Sequence, residues 1–275
     1  MKYLIVGLGN IGAEYAATRH NIGFKVLDAL AEASNTVFSS QRYGSVAELK
    51  HKGRTFILLK PSTYMNLSGQ SIAPAAAFYK IPPNHIFINT EIIANAPARY
   101  LWAGMGDTMA KHYECTISSR NDVPAHSDAM GIALSSMCAA PILRWGKQAM
   151  ADCEAHRVTP ELTEIIEAII ISTGYVSNFV QVDYTTGMAH AMYNGFTILP
   201  STEEYHHLHG EVVSYGILVM LTADKQYAER DRLLAFNRSI GLPTHLADIH
   251  ARPEDLPAVT EKAVSYTHLT LPTNS

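Results

Sequence analysis

Cysteine is scarce. Cys115, Cys138 and Cys153 are the only three in 275 residues, unevenly spaced and without a C-x-x-C pair. That excludes a disulfide framework and a thiolate metal site, and leaves buried free thiols as the expected state. Long apolar runs are missing too. No stretch reaches the roughly 18 consecutive apolar residues that a membrane-spanning helix needs. The opening MKYLIVGLG has neither the extended apolar segment nor the small-residue cleavage site of a secretory leader. The expectation is a cytoplasmic protein without membrane contact. No internal repeat is visible. With 47% hydrophobic and 17% charged residues, the chain has the make-up of a globular protein of one or two domains.

Charge is unevenly spread. Residues 1–85 hold nine Lys/Arg against four Asp/Glu, a balance of +5, whereas residues 86–275 hold twelve against twenty-one, a balance of −9. The overall −4 therefore hides a front compatible with a polyanion and a rear that is not.

The texture changes along the chain as well. KYLIVGL (2–8) is a short apolar run ending in glycines and predicts a buried strand. Phe24, Leu27, Leu30 and Ala31 recur at helical spacing. SVAELKH and RTFILLKP, separated by Lys52-Gly53, predict a hairpin. A helix follows through GQSIAPAAAFYK and is broken by IPP (81–83). Beyond about residue 86, VTPELTEIIEAIII carries Thr159 as a cap and Pro160 at the first helical position. Its apolar residues at 162, 165, 166, 169 and 170 predict a helix. HLHGEVVSYGILVMLTADKQYAERDRLLAFNRSIGL predicts two more, ending near Gly241 and Pro243. Residues 95–260 offer little strand pattern.

GLGNIG (Gly7 to Gly12) fits G-x-G-x-x-G. A dinucleotide cradle needs a helix opening at the third glycine and an acid closing the next strand about 20 residues on. Here GAEYAATRHNIG delays the helical period, and Asp28 and Glu32 fall inside a helix. The pattern leaves a cofactor turn and a glycine turn serving other chemistry both open.

GLGNIGAEYAATRHNIGFKVLDALA together with YMNLSGQSIAPAAAFYKIPP resembles the amino-terminal part of bacterial peptidyl-tRNA hydrolase over about residues 1–85. The resemblance implies a partial α/β sheet domain that cleaves the ester between a peptide and the terminal ribose of tRNA. It implies His20 as the base that activates water, a role suited to a group titrating near neutrality. Asn10 would orient the ester beside it, and Tyr15, Tyr64 and Asn66 would contact the tRNA acceptor end. Without the flanking strings, His20 beside Arg19 reads as a surface histidine. The +5 balance agrees with phosphate contacts. Two features depart from the family. Ile11 stands where proline is usual, and the D-E-L-D-L-P and G-H-N-G strings, which supply a supporting Asp and a substrate-binding Asn, do not occur.

INTEIIANAPARYLWAGMGDTMAKHYE (88–114), GMAHAMYNGFTIL, HHLHGEVVSYGILVML and FNRSIGLPTHLADI resemble the metal-binding domain of glycerol dehydrogenase and related iron- or zinc-containing alcohol dehydrogenases, over about residues 86–264. The resemblance implies a mostly α-helical domain holding a divalent metal, zinc or iron, through Asp107, His190 and His209. It implies a small polyol as substrate, NAD as cofactor, and association of copies through the helical part. Taken alone, one Asp and two His scattered over a hundred residues, with His206 and His207 beside His209, read as non-ligands. Tyr193 stands where a second His is common. NAD would sit on a G-G-G-[ST] loop in another domain, and no such string occurs.

SYTHLTLPTNS (265–275) matches neither pattern. It resembles a string found where reading frames run into sequencing-adapter DNA, and is expected to be a non-native tail. The two resemblances together imply an α/β fragment, part of a peptidyl-tRNA hydrolase sheet, joined to a mostly α-helical dehydrogenase metal-binding domain.

Overall fold

The computed structural model describes residues 2–18, 21–63, 69–82, 85–88 and 90–266. It divides into two compact units, Met1–Asn89 and Thr90–Ser275.

The first unit is built on a five-stranded sheet. Its strands are β1 (Lys2–Val6), β2 (Ser39–Gln41), β3 (Gly44–His51), β4 (Arg54–Pro61) and β5 (Ile86–Phe87), with α1 (Ile22–Ala33) and α2 (Gly69–Phe78) between them. The strand order is β2-β3-β4-β1-β5. β3 and β4 form the expected antiparallel hairpin, with His51 opposite Arg54. The turn residues Lys52 and Gly53 both take positive φ, 46° and 73°, the backbone that a tight two-residue hairpin needs to match strand twist. β1 runs parallel to β4, with Tyr3 opposite Phe56 and Val6 opposite Leu59.

Alternation along the strands splits the core in two. Leu4, Val46, Ile57 and Leu59 pack with Ala75 and Ala76 of α2 and with Ile81. Ala47 and Leu58 pack instead with Leu27 and Ala31 of α1. The sheet therefore lies between two helices.

The second unit is helical, with no strand among its described residues. Its helices are α3 (Thr90–Ala94), α4 (Ala98–Ser118), α5 (His126–Leu134), α6 (Ala140–Glu154), α7 (Pro160–Glu167), α8 (Thr173–Phe179), α9 (Val182–Thr185), α10 (Met188–Phe196), α11 (Pro200–Glu204), α12 (His209–Ala223), α13 (Tyr227–Ile240) and α14 (Leu256–Tyr266). α12 buries residues all round, Val212, Val213, Ile217 and Leu221 among them, as a central helix must. The Thr159 hydroxyl accepts from the Leu162 amide at 3.1 Å, capping α7 as its sequence predicts. Thr159 also donates to Asp152 Oδ2 at 2.8 Å, which ties the cap to α6.

Two boundaries differ from the sequence pattern. α7 stops at Glu167 and a π-helical turn, Ala168–Ser172, carries the chain into α8, so Ile169 and Ile170 are only half-buried. α14 runs on through Ser265 and Tyr266, the first two residues of the segment read as a tail. No helix among the described residues is long and apolar enough to cross a membrane. All three cysteines are buried and free.

Candidate metal centre and glycine loop

Three helices converge on one point. Asp107 comes from the middle of α4, His190 from the first turn of α10, and His209 opens α12. The approach of α4 to α12 depends on Gly210, because a Cβ there would overlap the carbonyl oxygen of Ala103. With no side chain in the way, the two backbones touch one residue from His209, bringing its ring within reach of Asp107.

The geometry is unusual for a polar cluster. His190 Nε2 and His209 Nε2 each lie 3.2 Å from Asp107 Oδ1. Yet Oδ1 is buried and neither of these close approaches makes a hydrogen bond to it. The three ligand atoms lie within 4.8 Å of one another. A buried carboxylate oxygen normally accepts a hydrogen bond. One that faces two imidazole nitrogens without bonding either has the donor set and spacing that a divalent cation satisfies. The residues present therefore fit a divalent metal ion.

Charge supports the cluster. Burial alone would raise the Asp107 carboxyl, but the two imidazoles outweigh it and hold it well below the usual carboxylate range. Burial likewise opposes charge on His190, but Glu114 and Asp107 on either side push it up to about 9. Glu114, fully buried, lies 2.6 Å from His190 Nδ1 through Oε2 and accepts the His190 backbone amide on Oε1 at 3.0 Å. The Tyr193 ring meets His209 edge-on at 4.2 Å between centroids. Beside His209, Glu211 accepts from the Leu208 amide at 3.0 Å and pairs with His207 Nδ1 at 2.8 Å, bracing the start of α12.

The front unit presents a different arrangement. GLGNIG is followed by a three-residue turn, Ala13–Tyr15, and α1 begins only at Ile22. No α-helix opens at the third glycine, only the three-residue turn, so the phosphate-facing amides of a dinucleotide cradle are not assembled here. The loop is held by Asn21 instead: the Asn10 amide donates to Asn21 Oδ1 at 2.7 Å, and Asn21 Nδ2 donates to the Asn10 carbonyl at 3.0 Å. Tyr15 is half-buried in the short turn. His20, Tyr64 and Asn66 lie outside the described residues, so of the front set only Asn10 and Tyr15 are placed.

The family model for peptidyl-tRNA hydrolase matches residues 4–100. The peptidyl-tRNA hydrolase of Phocaeicola vulgatus is 60% identical over 94 residues, 34% of this chain and 50% of its own length. The glycerol dehydrogenase of Thermotoga maritima is 36% identical over 191 residues, 66% of this chain and 50% of its own length. The crystal structure of a probable glycerol dehydrogenase from Sinorhizobium meliloti superposes with a TM-score of 0.57 at 32% identity, covering 66% of this chain and 52% of that one. Similarities to two different families meet in this chain. Peptidyl-tRNA hydrolase similarity lies at its amino terminus, and glycerol dehydrogenase similarity covers another part. The chain spans about half the length of the curated relatives it matches.

Two residues of these sites escaped the sequence reading. Glu114 stands seven residues after Asp107, two turns along the same face of α4. That spacing was the available signal. Asn21 sits inside the TRHN string that carries the first resemblance.

Proposed function

We propose that the rear unit binds one divalent metal ion through Asp107, His190 and His209, and that this is an alcohol-dehydrogenase-type site for a small polyol. The observation that carries the reading is Asp107 Oδ1, buried without a hydrogen-bond partner and 3.2 Å from two imidazole nitrogens. Three protein ligands leave a coordination position for a substrate hydroxyl, the pattern of a catalytic site rather than a structural one. When bound, the metal supplies Lewis acidity that favours the alkoxide as hydride departs to a nicotinamide. The protein's own part is to hold the ligands: Glu114 fixes His190, the Gly210 contact fixes His209, and Tyr193 packs against the His209 ring. The 275 residues contain no G-G-G-[ST] string for NAD. The reading for them is therefore metal binding, with alcohol oxidation requiring a nucleotide-binding part from elsewhere.

The front unit is read as the loop of a peptidyl-tRNA hydrolase, with His20 as the base, Asn10 orienting the ester, and Tyr15, Tyr64 and Asn66 as contacts to the tRNA acceptor end. Its support is the family match and the Asn21 clamp on Asn10. Cytoplasmic residence fits three reduced, buried thiols. The boundary at about residue 85, and the reading of 265–275 as non-native, belong to this same proposal of two joined genes.

Equilibrium dialysis against zinc tests the rear reading: about one ion per chain is expected, lost in Asp107→Ala. Binding that survives this substitution refutes the site. No NADH is expected from NAD and glycerol, and production that depends on His190 would show the site complete. Peptide release from peptidyl-tRNA is expected at trace level only, and robust His20-dependent release would show the same for the front.

A further inference from the structure

Glu114 is a fully buried carboxylate that both ends of one residue use. Its Oε1 accepts the backbone amide of His190 at 3.0 Å, and its Oε2 lies 2.6 Å from Nδ1 of the same residue. His190 is the third residue of the nine-residue helix α10, where first-turn amides lack an intrahelical acceptor. Glu114 thus caps α10 from the neighbouring helix and grips the imidazole at once.

We propose that Glu114 is the positioning residue of the metal centre, selecting the His190 tautomer whose Nε2 lone pair faces Asp107. This rests on the metal-binding reading above. A carboxylate can only accept. Nδ1, 2.6 Å from it, must therefore donate, and a neutral imidazole that carries its proton on Nδ1 offers its lone pair on Nε2. That Nε2 is the atom 3.2 Å from Asp107 Oδ1. Because Asp107 and Glu114 lie two turns apart on one face of α4, a single helix supplies both a ligand and the group that orients another.

Glutamine cannot do both tasks. With its oxygen on the His190 amide, its NH2 faces Nδ1 and favours the tautomer with the proton on Nε2, which blocks coordination. With its oxygen on Nδ1, its NH2 opposes the backbone N–H. Its volume is nearly that of glutamate, so packing is kept while the acceptor pattern is lost.

Zinc affinity, measured by competition with a chelator, is compared for wild type, Glu114→Gln and Asp107→Ala, with melting of each metal-free protein alongside. Glu114→Gln is expected to weaken zinc binding about 10- to 100-fold in protein that is folded before metal is added. Unchanged affinity in Glu114→Gln, with binding lost in Asp107→Ala, overturns this inference and leaves the metal site standing. Wild type that binds no zinc overturns both. Where Glu114→Gln fails to fold, nitrogen-15 spectra of His190 in zinc-loaded wild type decide. A proton retained on Nδ1 with the metal on Nε2 supports the assignment, and metal on Nδ1, or Nδ1 without its proton, overturns it.

Discussion

Asn21 shows how one amide can set the shape of a loop. Its side chain is buried and spends its oxygen on the Asn10 N–H and its NH2 on the Asn10 carbonyl, so it reproduces a pair of strand-like hydrogen bonds where the chain has left the sheet. Substitution by alanine removes both partners at a half-buried site, and an unmet backbone group there costs roughly 1–3 kcal/mol. Asn21→Ala is therefore expected to speed amide exchange at residues 8–11 while leaving β3 and β4 protected. Exchange unchanged at Asn10 would show that the clamp is dispensable. Asn10 was singled out through the GLGN string, because that string carries a family resemblance. Asn21 and Glu114 were not, because hydrogen bonding between segments depends on how elements dock, which residue type and spacing do not specify.

Among elements, the join of α6 to α7 depends on Asp152. Its side chain is buried, and it accepts from Thr159 Oγ1 and Arg157 Nη2 at 2.8 Å and from Gln148 Nε2 at 3.1 Å. Burial alone would raise its carboxyl, but these three donors hold it below its ordinary value of 3.8. A depressed acid stabilises the folded state fully above its ordinary value, and the contribution disappears as pH falls through the folded one. The gap in melting temperature between wild type and Asp152→Asn should be widest near neutrality and shrink as pH drops below 3.8. A gap independent of pH would mean that shape, not charge, matters at this position. Gly210→Ala gives a second test at this scale. The added methyl drives α4 and α12 apart at a cost of roughly 1–3 kcal/mol, so it should lower melting and weaken zinc binding together. Lower melting with zinc affinity intact would separate the helix contact from the metal site. The Thr159-Pro160 start of α7 was readable because capping is local chemistry. The π turn at 168–172 was not, since Ala-Ile-Ile-Ile-Ser continues an apolar helical period and nothing in it announces the change.

At the scale of the molecule, two units of 89 and 186 residues differ in size and in amount of core. The smaller buries a lower share of its surface on folding and has less to offset its chain entropy. In a urea series followed by hydrogen exchange, amides of β1, β3 and β4 should lose protection before those of α4 and α12. The reverse order would contradict this. Zinc should add protection at α4, α10 and α12, because a ligand stabilises the state that binds it. The α/β front and helical rear were legible as a change of period near residue 86. The grouping of Asp107, His190 and His209, which the fold brings together, could be expected only from their surrounding strings, because the three are too far apart in sequence for spacing to join them.

X-ray absorption at the zinc edge on the loaded protein tests the central claim most directly. The account predicts a four-coordinate shell of nitrogen and oxygen with two imidazoles, at about 2.0–2.2 Å, reduced to trace signal in Asp107→Ala. A shell that is unchanged in Asp107→Ala, or that depends instead on His206, His207 or His250, would contradict it.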